Sequence, residues 1–229
     1  MIRYCLPIVT AEPARAVKIV DENCSRFEYF EFWLDYLEDG ALRLVEEMSF
    51  RLGEKAIFLL RRHKLENIRM PLEKRYRLIE AVADTNSYLD LDVNSQAQEI
   101  DFIRSQKLSP ALLLSYHNYE ATPDLPLLRE ILERMASLEG RIFKLATFCN
   151  TREDALSLLT LTLELCAEGE RFIVLGMGTH GQVTRVFGGL WGNQLTYAPL
   201  DAAGATAPGQ LTRDQFDLIY SQLKDDGRK

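Results

Sequence analysis

The sequence has no excess of positive charge and so lacks the usual signature of a nucleic-acid-binding protein. Its 229 residues include 27 Lys and Arg against 34 Asp and Glu, for a formal net charge of −7. No surplus of cations is available to neutralise a phosphate backbone. We therefore expect no nucleic-acid partner, whereas a small anionic ligand stays compatible with the composition because a few local arginines can hold it.

The sequence also lacks long hydrophobic runs. No window offers the roughly 18 uninterrupted apolar residues that a membrane-spanning helix needs. The N-terminal residues, which include Pro7, Glu12 and Pro13, lack the apolar core and small-residue cleavage site of a signal peptide. We therefore expect a cytoplasmic protein that does not enter a membrane.

Cysteine is scarce. The four cysteines, Cys5, Cys24, Cys149 and Cys166, form no CxxC pair and lie in or beside apolar segments. Disulfides are rare in cytosolic proteins. The sequence therefore predicts four reduced, buried thiols.

What the sequence does contain is a regular alternation of short apolar runs with amphipathic segments. The runs predict eight buried strands, and the amphipathic segments predict the helices that connect them. The strands are expected at residues 3–8, 27–34, 56–60, 87–93, 111–114, 141–146, 172–175 and 195–197. Eight βα units favour a (β/α)8 (TIM) barrel of the α/β class, as one domain over residues 1–229, over an open doubly wound sheet.

Two helix starts are marked by capping residues. Asn150, followed three residues later by Glu153, predicts the start of a helix that runs to Cys166. Thr212 is the predicted cap of the closing helix. Between them, a glycine-rich turn after the seventh strand is expected to precede a helix near residues 182–189.

Functional groups of such a barrel project from the C-terminal ends of its strands. The residues expected there are Glu31, Arg61, Arg62, Asp90, Asp92, His117, Lys144, Met177, the loop to Arg185, and residues 206–210. Lys144 is the most informative, because it shares a buried strand face with Ile142 and Ala146. Burial lowers the pKa of a lysine and supplies the free amine that attacks a carbonyl. The alternative is a structural lysine that pairs with Asp90 or Asp92 or extends outward to solvent.

His117 ends the fifth strand, just before a polar turn. Its imidazole can act as a base and then as an acid near neutral pH. We therefore interpret Lys144 and His117 as a pair for imine chemistry, in which the amine attacks a ketone and the imidazole moves the protons. The alternative for His117 is a hydrogen-bonded core histidine.

Two further segments carry candidate ligand-binding groups. Residues 176–181 match the GxGxxG pattern of phosphate-cradling loops, but no GK[ST] follows. The next helix carries Arg185, which can hold a carboxylate by two hydrogen bonds, with a structural salt bridge as the alternative. In residues 205–210, Pro208-Gly209 and Gln210 place amides where they can hold hydroxyl groups, unless the segment is only a turn.

In combination, these residues resemble type I 3-dehydroquinate dehydratase over nearly the whole chain. The matching motifs are Ser115-Tyr116-His117-Asn118-Tyr119 with Thr122-Pro123, Phe143-Lys144-Leu145-Ala146, Met177-Gly178 leading to Thr184-Arg185-Val186, and Ala207-Pro208-Gly209-Gln210. The resemblance implies a (β/α)8 barrel, usually a homodimer, that needs no metal or cofactor. It also implies dehydration of 3-dehydroquinate to 3-dehydroshikimate in the shikimate pathway of aromatic amino-acid biosynthesis.

The resemblance further implies roles for single residues. Lys144 would form an imine with the substrate ketone, and His117 would abstract the adjacent proton and later protonate the departing hydroxyl. Arg185 would hold the substrate carboxylate. The remaining substrate-binding residues would be Glu31, Arg61, Met177, Tyr197, Thr206 and Gln210, and the residues that orient His117 would be Asp90 and Glu66.

Two segments depart from the family pattern. The second strand usually reads Glu-x-Arg-x-Asp, but here Trp33 takes the place of the arginine between Glu31 and Asp35. After the third strand, residues 61–66 (Arg-Arg-His-Lys-Leu-Glu) replace the usual Arg followed by Glu-Gly-Gly. Two alternatives to the dehydratase therefore stay open. One is a class I aldolase-like lyase, which also uses a lysine imine, and the other is a catalytically inactive barrel that binds a related hydroxy acid.

Overall fold

The computed structural model describes residues 2–37, 39–60 and 70–223. Its strands are β1 (Tyr4–Ile8), β2 (Tyr29–Trp33), β3 (Ala56–Leu59), β4 (Tyr88–Asp92), β5 (Ala111–Asn118), β6 (Ile142–Phe148), β7 (Phe172–Met177) and β8 (Thr196–Tyr197). Its helices are α1 (Pro13–Asn23), α2 (Ala41–Leu52), α3 (Leu72–Ala83), α4 (Ala97–Ser105), α5 (Leu125–Ser137), α6 (Arg152–Glu168), α7 (Gly178–Leu190) and α8 (Arg213–Gln222). Helices and strands thus alternate along the chain as the apolar periodicity predicts.

The strands are parallel and form one sheet in the order β7-β6-β5-β4-β3-β2-β1-β8. The two ends of this order meet just before β8. There the Gln194 backbone N–H donates to the Phe172 carbonyl over 2.7 Å, and the Asn193 side chain bonds both backbone groups of Val174. The sheet is therefore a nearly closed (β/α)8 barrel, which confirms the predicted fold.

Side chains on each strand alternate between two hydrophobic cores. Outward-facing residues such as Phe30 and Leu89 pack under the helices. Inward-facing residues such as Ile142 and Ala146 fill the barrel. Lys144 lies between these last two on the inner face and is buried, so its predicted face is confirmed. An inner-face position points the amine at the barrel axis, where functional groups from other strands converge.

The junction between β7 and α7 differs from the prediction. The glycine-rich residues 178–181 are the first turn of α7 rather than a separate loop. A Cβ at Gly181 would lie 2.4 Å from the Gly176 carbonyl carbon, so the glycines permit the helix to pack directly on the strand end. The resemblance to a phosphate-cradling loop thus has a packing explanation.

The predicted cap of α6 is wrong by one residue. Thr151 caps this helix, and its side chain and that of Asp154 form a reciprocal capping box. Asn150 instead donates its side-chain amide to the Glu120 carbonyl over 2.7 Å. The predicted cap of α8 is confirmed, because Thr212 forms a capping box with Gln215.

The cysteines are only partly buried as predicted. All four cysteines are free, but Cys24 and Cys166 are exposed, so the prediction of four buried thiols is wrong for these two. Their positions near helix ends leave the sulfur at the surface. Within the described ranges, no helix is long and apolar enough to cross a membrane.

Candidate active site

A cavity lies at the C-terminal ends of the strands. Its walls are formed by Glu31, Trp33, His117, Tyr119, Lys144, Ala146, Leu175, Met177, Arg185, Tyr197, Thr206, Ala207 and Gln210. All predicted catalytic and substrate-binding residues that the structure describes are on these walls. The predicted Arg61 and Glu66 lie outside the described residues. The barrel therefore gathers side chains from β2, β5, β6, β7 and β8 around one space.

Lys144 lies at the inner wall with two carboxylates beside it. Its Nζ donates to Asp90 Oδ2 over 2.8 Å and lies 3.4 Å from Glu31 Oε1. The same nitrogen lies 4.5 Å from the centroid of the Tyr197 ring. The surroundings are thus less apolar than the sequence suggested. Burial disfavours the ammonium form, whereas the two carboxylates favour it.

The paired state of Lys144 does not exclude its action as a nucleophile. The sequence left open a nucleophilic amine, a structural pair with Asp90 or Asp92, and an outward side chain. The structure shows the pair with Asp90, and Lys144 still lines the cavity. A cation held by carboxylates can pass a proton to one of them when a ketone approaches. The arrangement therefore fits both an ion pair at rest and an amine during reaction.

His117 is held by Asp92. The Asp92 Oδ2 atom accepts the His117 backbone N–H at 2.9 Å and lies 3.1 Å from His117 Nδ1. The described contacts of Asp90 are instead with Lys144 and with the Ser115 hydroxyl, which donates over 2.6 Å. The assignment of Asp90 as the residue that orients His117 is therefore corrected to Asp92. Periodicity places both aspartates on the inner face but does not show which one lies level with the histidine.

Asp92 also fixes the electrostatics of the imidazole. Burial by itself would raise the pKa of the Asp92 carboxyl, but its hydrogen bonds with His117 and Ser95 outweigh burial, and the net pKa is lowered. An ionised carboxylate at Nδ1 favours a proton on that nitrogen. Nε2 is then the basic nitrogen of the neutral imidazole, as general-base catalysis requires.

We predict that Asp92→Asn destabilises the fold by roughly 1.5–3 kcal/mol at pH 7, the usual contribution of a hydrogen bond to a charged group. A carboxyl whose folded-state pKa is lowered stabilises the fold above its unfolded pKa and loses that effect as the pH falls through the folded value. The difference between wild type and variant should therefore shrink below the usual Asp pKa of 3.8. Urea unfolding at several pH values measures it.

The matched control for this substitution is Asp124→Asn. Asp124 caps α5 by accepting the Leu127 backbone N–H at an exposed position, and asparagine is an equally good cap. We expect little change in its unfolding free energy. A loss in Asp92→Asn that stays constant from pH 7 to pH 3 would contradict the proposed charge on Asp92.

Arg185 extends from α7 into the cavity with one nitrogen unsatisfied. Its Nε donates to the Gly176 carbonyl over 3.0 Å, whereas the buried Nη2 has no partner among the described residues. Burial lowers the pKa of this guanidinium to about 10. Within the part of the chain that the structure covers, no carboxylate forms a salt bridge with Arg185. A buried cation with an open donor favours binding of an anionic group of a ligand.

The segment before α8 closes the cavity on the side of α7. The Thr206 backbone N–H donates to Gln210 Oε1 over 2.8 Å, and Gln210 Nε2 donates to Thr206 Oγ1 over 3.1 Å. The Pro208 carbonyl accepts the Gly178 backbone N–H at 3.2 Å. The turn therefore contacts the first residue of α7, and Thr206 and Gln210, bonded to each other, line the cavity.

Met177 and Tyr197 supply apolar surface to the cavity. Both are buried, and burial, followed by the nearby charge of Glu31, raises the pKa of the Tyr197 hydroxyl above its ordinary value. The hydroxyl lies near Glu31 but does not meet hydrogen-bond geometry. Tyr197 therefore stays neutral beside Lys144.

Five cavity residues were not predicted as site residues, and two of them, Trp33 and Tyr119, contact predicted ones. The Trp33 indole N–H, at the position where the sequence departs from the family pattern, donates to Glu31 Oε2 over 3.0 Å. Tyr119 stacks on His117, with the ring centroids 6.2 Å apart. Strand alternation offered a signal for Trp33, because residues two apart share a face. Among the described residues, no cluster of three or more potential metal ligands is present.

The (β/α)8 barrel brings a buried lysine, a carboxylate-bound histidine and a buried arginine to one cavity. This set of residues is that of a barrel enzyme that uses a lysine side chain in its reaction. Comparison with known proteins defines the class further. The chain belongs to the type I 3-dehydroquinase family, because the model of that family matches residues 4–226.

Individual relatives support the assignment. The chain is 30% identical over 190 residues to a protein named 3-dehydroquinate dehydratase from Aquifex aeolicus, covering 81% of this chain and 83% of that one. It is 27% identical over 216 residues to a protein of the same name from Methanococcus maripaludis, covering 90% and 93%. A crystal structure of 3-dehydroquinate dehydratase from Geobacillus kaustophilus shares the fold, with a TM-score of 0.83, 24% identity, and coverage of 100% of this chain and 93% of that one.

Proposed function

We propose that this protein converts 3-dehydroquinate to 3-dehydroshikimate through an imine on Lys144, as a hydro-lyase of the shikimate pathway. The observation that carries the proposal is the position of Lys144, His117 and Arg185 on one cavity of a type I 3-dehydroquinase chain, with the buried Arg185 Nη2 lacking a partner among the described residues. We further propose that residues 1–229 act as one catalytic domain without metal or cofactor, in a cytoplasmic homodimer.

The proposed reaction proceeds in successive steps, in which Lys144 forms the imine and His117 transfers the protons. The Lys144 amine forms an N–C bond with the ketone, and the ketone oxygen leaves as water. His117 then takes a proton from the carbon next to the iminium, and the electron pair moves into the iminium, which acts as a sink. The enamine returns that pair to expel the hydroxyl, which receives the proton from His117. Water finally releases the conjugated ketone and restores Lys144.

The departure at Trp33 supports a second candidate function. An indole in place of the arginine of the family changes the polarity of the cavity wall, as expected for an inactive barrel that binds a related hydroxy acid. The retained lysine, histidine and arginine favour the enzyme. An aldolase-like lyase would use the same amine but break a carbon–carbon bond, and its product from a sugar phosphate would identify it.

Borohydride reduction in the presence of 3-dehydroquinate separates these functions. We expect a covalent adduct in the intact mass of the protein and growth of absorbance from the conjugated product when no borohydride is added. An adduct without the absorbance change would indicate the aldolase-like lyase or an inactive barrel that still forms the imine. No adduct and no absorbance change would overturn the proposal.

Arg185→Ala should raise KM by roughly 10- to 100-fold with a smaller effect on kcat, because a hydrogen bond to a charged group contributes about 1.5–3 kcal/mol. Initial rates across a range of substrate concentrations measure the effect. Arg129→Ala is the control, since Arg129 pairs with Glu164 at the surface. An unchanged KM in Arg185→Ala would remove Arg185 from the carboxylate site.

A further inference from the structure

The two carboxylates beside Lys144 are not equivalent. Asp90 is fully buried, accepts the Ser115 hydroxyl, and does not line the cavity. Glu31 also reaches Lys144 Nζ, over 3.4 Å, but its side chain is part of the cavity wall. Of these two carboxylates, Glu31 is therefore the one placed to contact both the Lys144 nitrogen and an atom of a bound ketone.

Trp33 determines which way Glu31 points. The indole N–H donates to Glu31 Oε2 over 3.0 Å, and Oε1 is the oxygen that faces Lys144. The two residues lie two positions apart on β2, so their side chains share the inner face. A rigid aromatic donor thus fixes one carboxylate oxygen and leaves the other oriented toward the amine.

Imine formation requires proton transfers between the Lys144 nitrogen and the substrate, and Asp90 does not line the cavity in which the substrate would lie. When an ammonium group condenses with a ketone, two protons pass from nitrogen to the ketone oxygen, one stays on the iminium nitrogen, and water leaves. The net charge is unchanged, so the step needs a group that accepts and returns protons but no external reagent.

We propose that Glu31 is the proton shuttle for imine formation at Lys144, and that Trp33 is the positioning residue that holds Glu31 for this task. Glu31 Oε1 takes a proton from the Lys144 ammonium, the freed lone pair forms the N–C bond, and the proton passes to the ketone oxygen. The carboxylate then takes the second proton from nitrogen and delivers it as the C–O bond breaks. This inference rests on the proposed function, because it assumes the imine.

The rate of adduct formation tests the proposal. Enzyme is mixed with excess 3-dehydroquinate, samples are quenched with borohydride over time, and the adduct fraction is read by intact mass. We expect Glu31→Gln to slow adduct formation by roughly 10²- to 10⁴-fold, the usual effect of removing a positioned acid–base group. Trp33→Phe, which keeps the ring but removes the N–H, should slow it by about tenfold, in line with one lost hydrogen bond to a charged group.

Chemical rescue distinguishes proton transfer from simple packing. Added formate should accelerate adduct formation in Glu31→Ala in proportion to its concentration, because it supplies a carboxylate where the side chain is missing. Trp191→Phe is the matched control for Trp33→Phe, since Trp191 packs on Phe187 at the end of α7, and it should react at the wild-type rate.

The outcomes separate this inference from the proposed function. If the wild type forms the adduct and Glu31→Gln forms it at the same rate, the proposed role of Glu31 is wrong, whereas the proposed function is unaffected. Slow reaction in Glu31→Gln with an unchanged rate in Trp33→Phe overturns the positioning role of Trp33. Absence of any adduct in the wild type overturns the proposed function and the inference with it.

Discussion

Lys144→Met is expected to abolish the borohydride-trapped adduct and to lower turnover by more than the roughly 10²- to 10⁴-fold contributed by a positioned acid–base group. Methionine has a similar length but no amine, so no N–C bond forms and the electron sink is lost. Intact mass after borohydride treatment and the absorbance of the product measure the two effects.

The same substitution should also destabilise the protein. Asp90 and Glu31 would remain buried beside an apolar side chain, and removal of one partner of a buried ion pair costs about 3–5 kcal/mol. Lys144→Arg separates the two effects, because it keeps a cation for the carboxylates but cannot form the imine. Adduct formation in folded Lys144→Met at another lysine would contradict the assignment of the nucleophile.

His117→Ala is expected to leave the trapped adduct intact but to reduce kcat by roughly 10²- to 10⁴-fold. The imine forms at Lys144, whereas removal of the carbon-bound proton and protonation of the leaving hydroxyl both depend on the imidazole. Steady-state turnover measured alongside the adduct fraction after borohydride treatment shows whether the block follows imine formation.

His180→Ala is the control for the loss of a histidine. His180 lies in the first turn of α7 and is exposed, so its removal should change neither measurement. Loss of the adduct in a folded His117→Ala protein would contradict the order of steps, because it would place His117 before the imine. Full turnover in that variant would remove His117 from the reaction.

Much of the site could be predicted from single strands. Lys144 interrupts an apolar run, and the strand period places it inside the barrel between Ile142 and Ala146. His117 was a candidate from its position near a strand end and Arg185 from the helix after β7, each with a structural alternative left open. These features depend on local sequence alone, and the family resemblance then supplied the substrate.

Other predictions failed, or could not be made, because they depended on side-chain contacts that the strand pattern does not specify. Asp90 and Asp92 have the same period and the same chemistry, yet one bonds Lys144 and the other holds His117. The contact of Trp33 with Glu31 likewise became visible only with side-chain geometry. The cap of α6 is Thr151, and Asn150 instead bonds the Glu120 carbonyl in a neighbouring loop.

The sequence by itself determined the barrel, the inward direction of Lys144 and the chemical types gathered at its C-terminal end, because periodicity and residue chemistry are local properties. Only the tertiary structure decided that Asp90 contacts Lys144 and that Asp92 contacts His117. These contacts are set by the register of β4, β5 and β6 and by the position of β2, whose Glu31 contacts Lys144 of β6. Such distances between separate strands are fixed by packing of the whole barrel, which no single segment encodes.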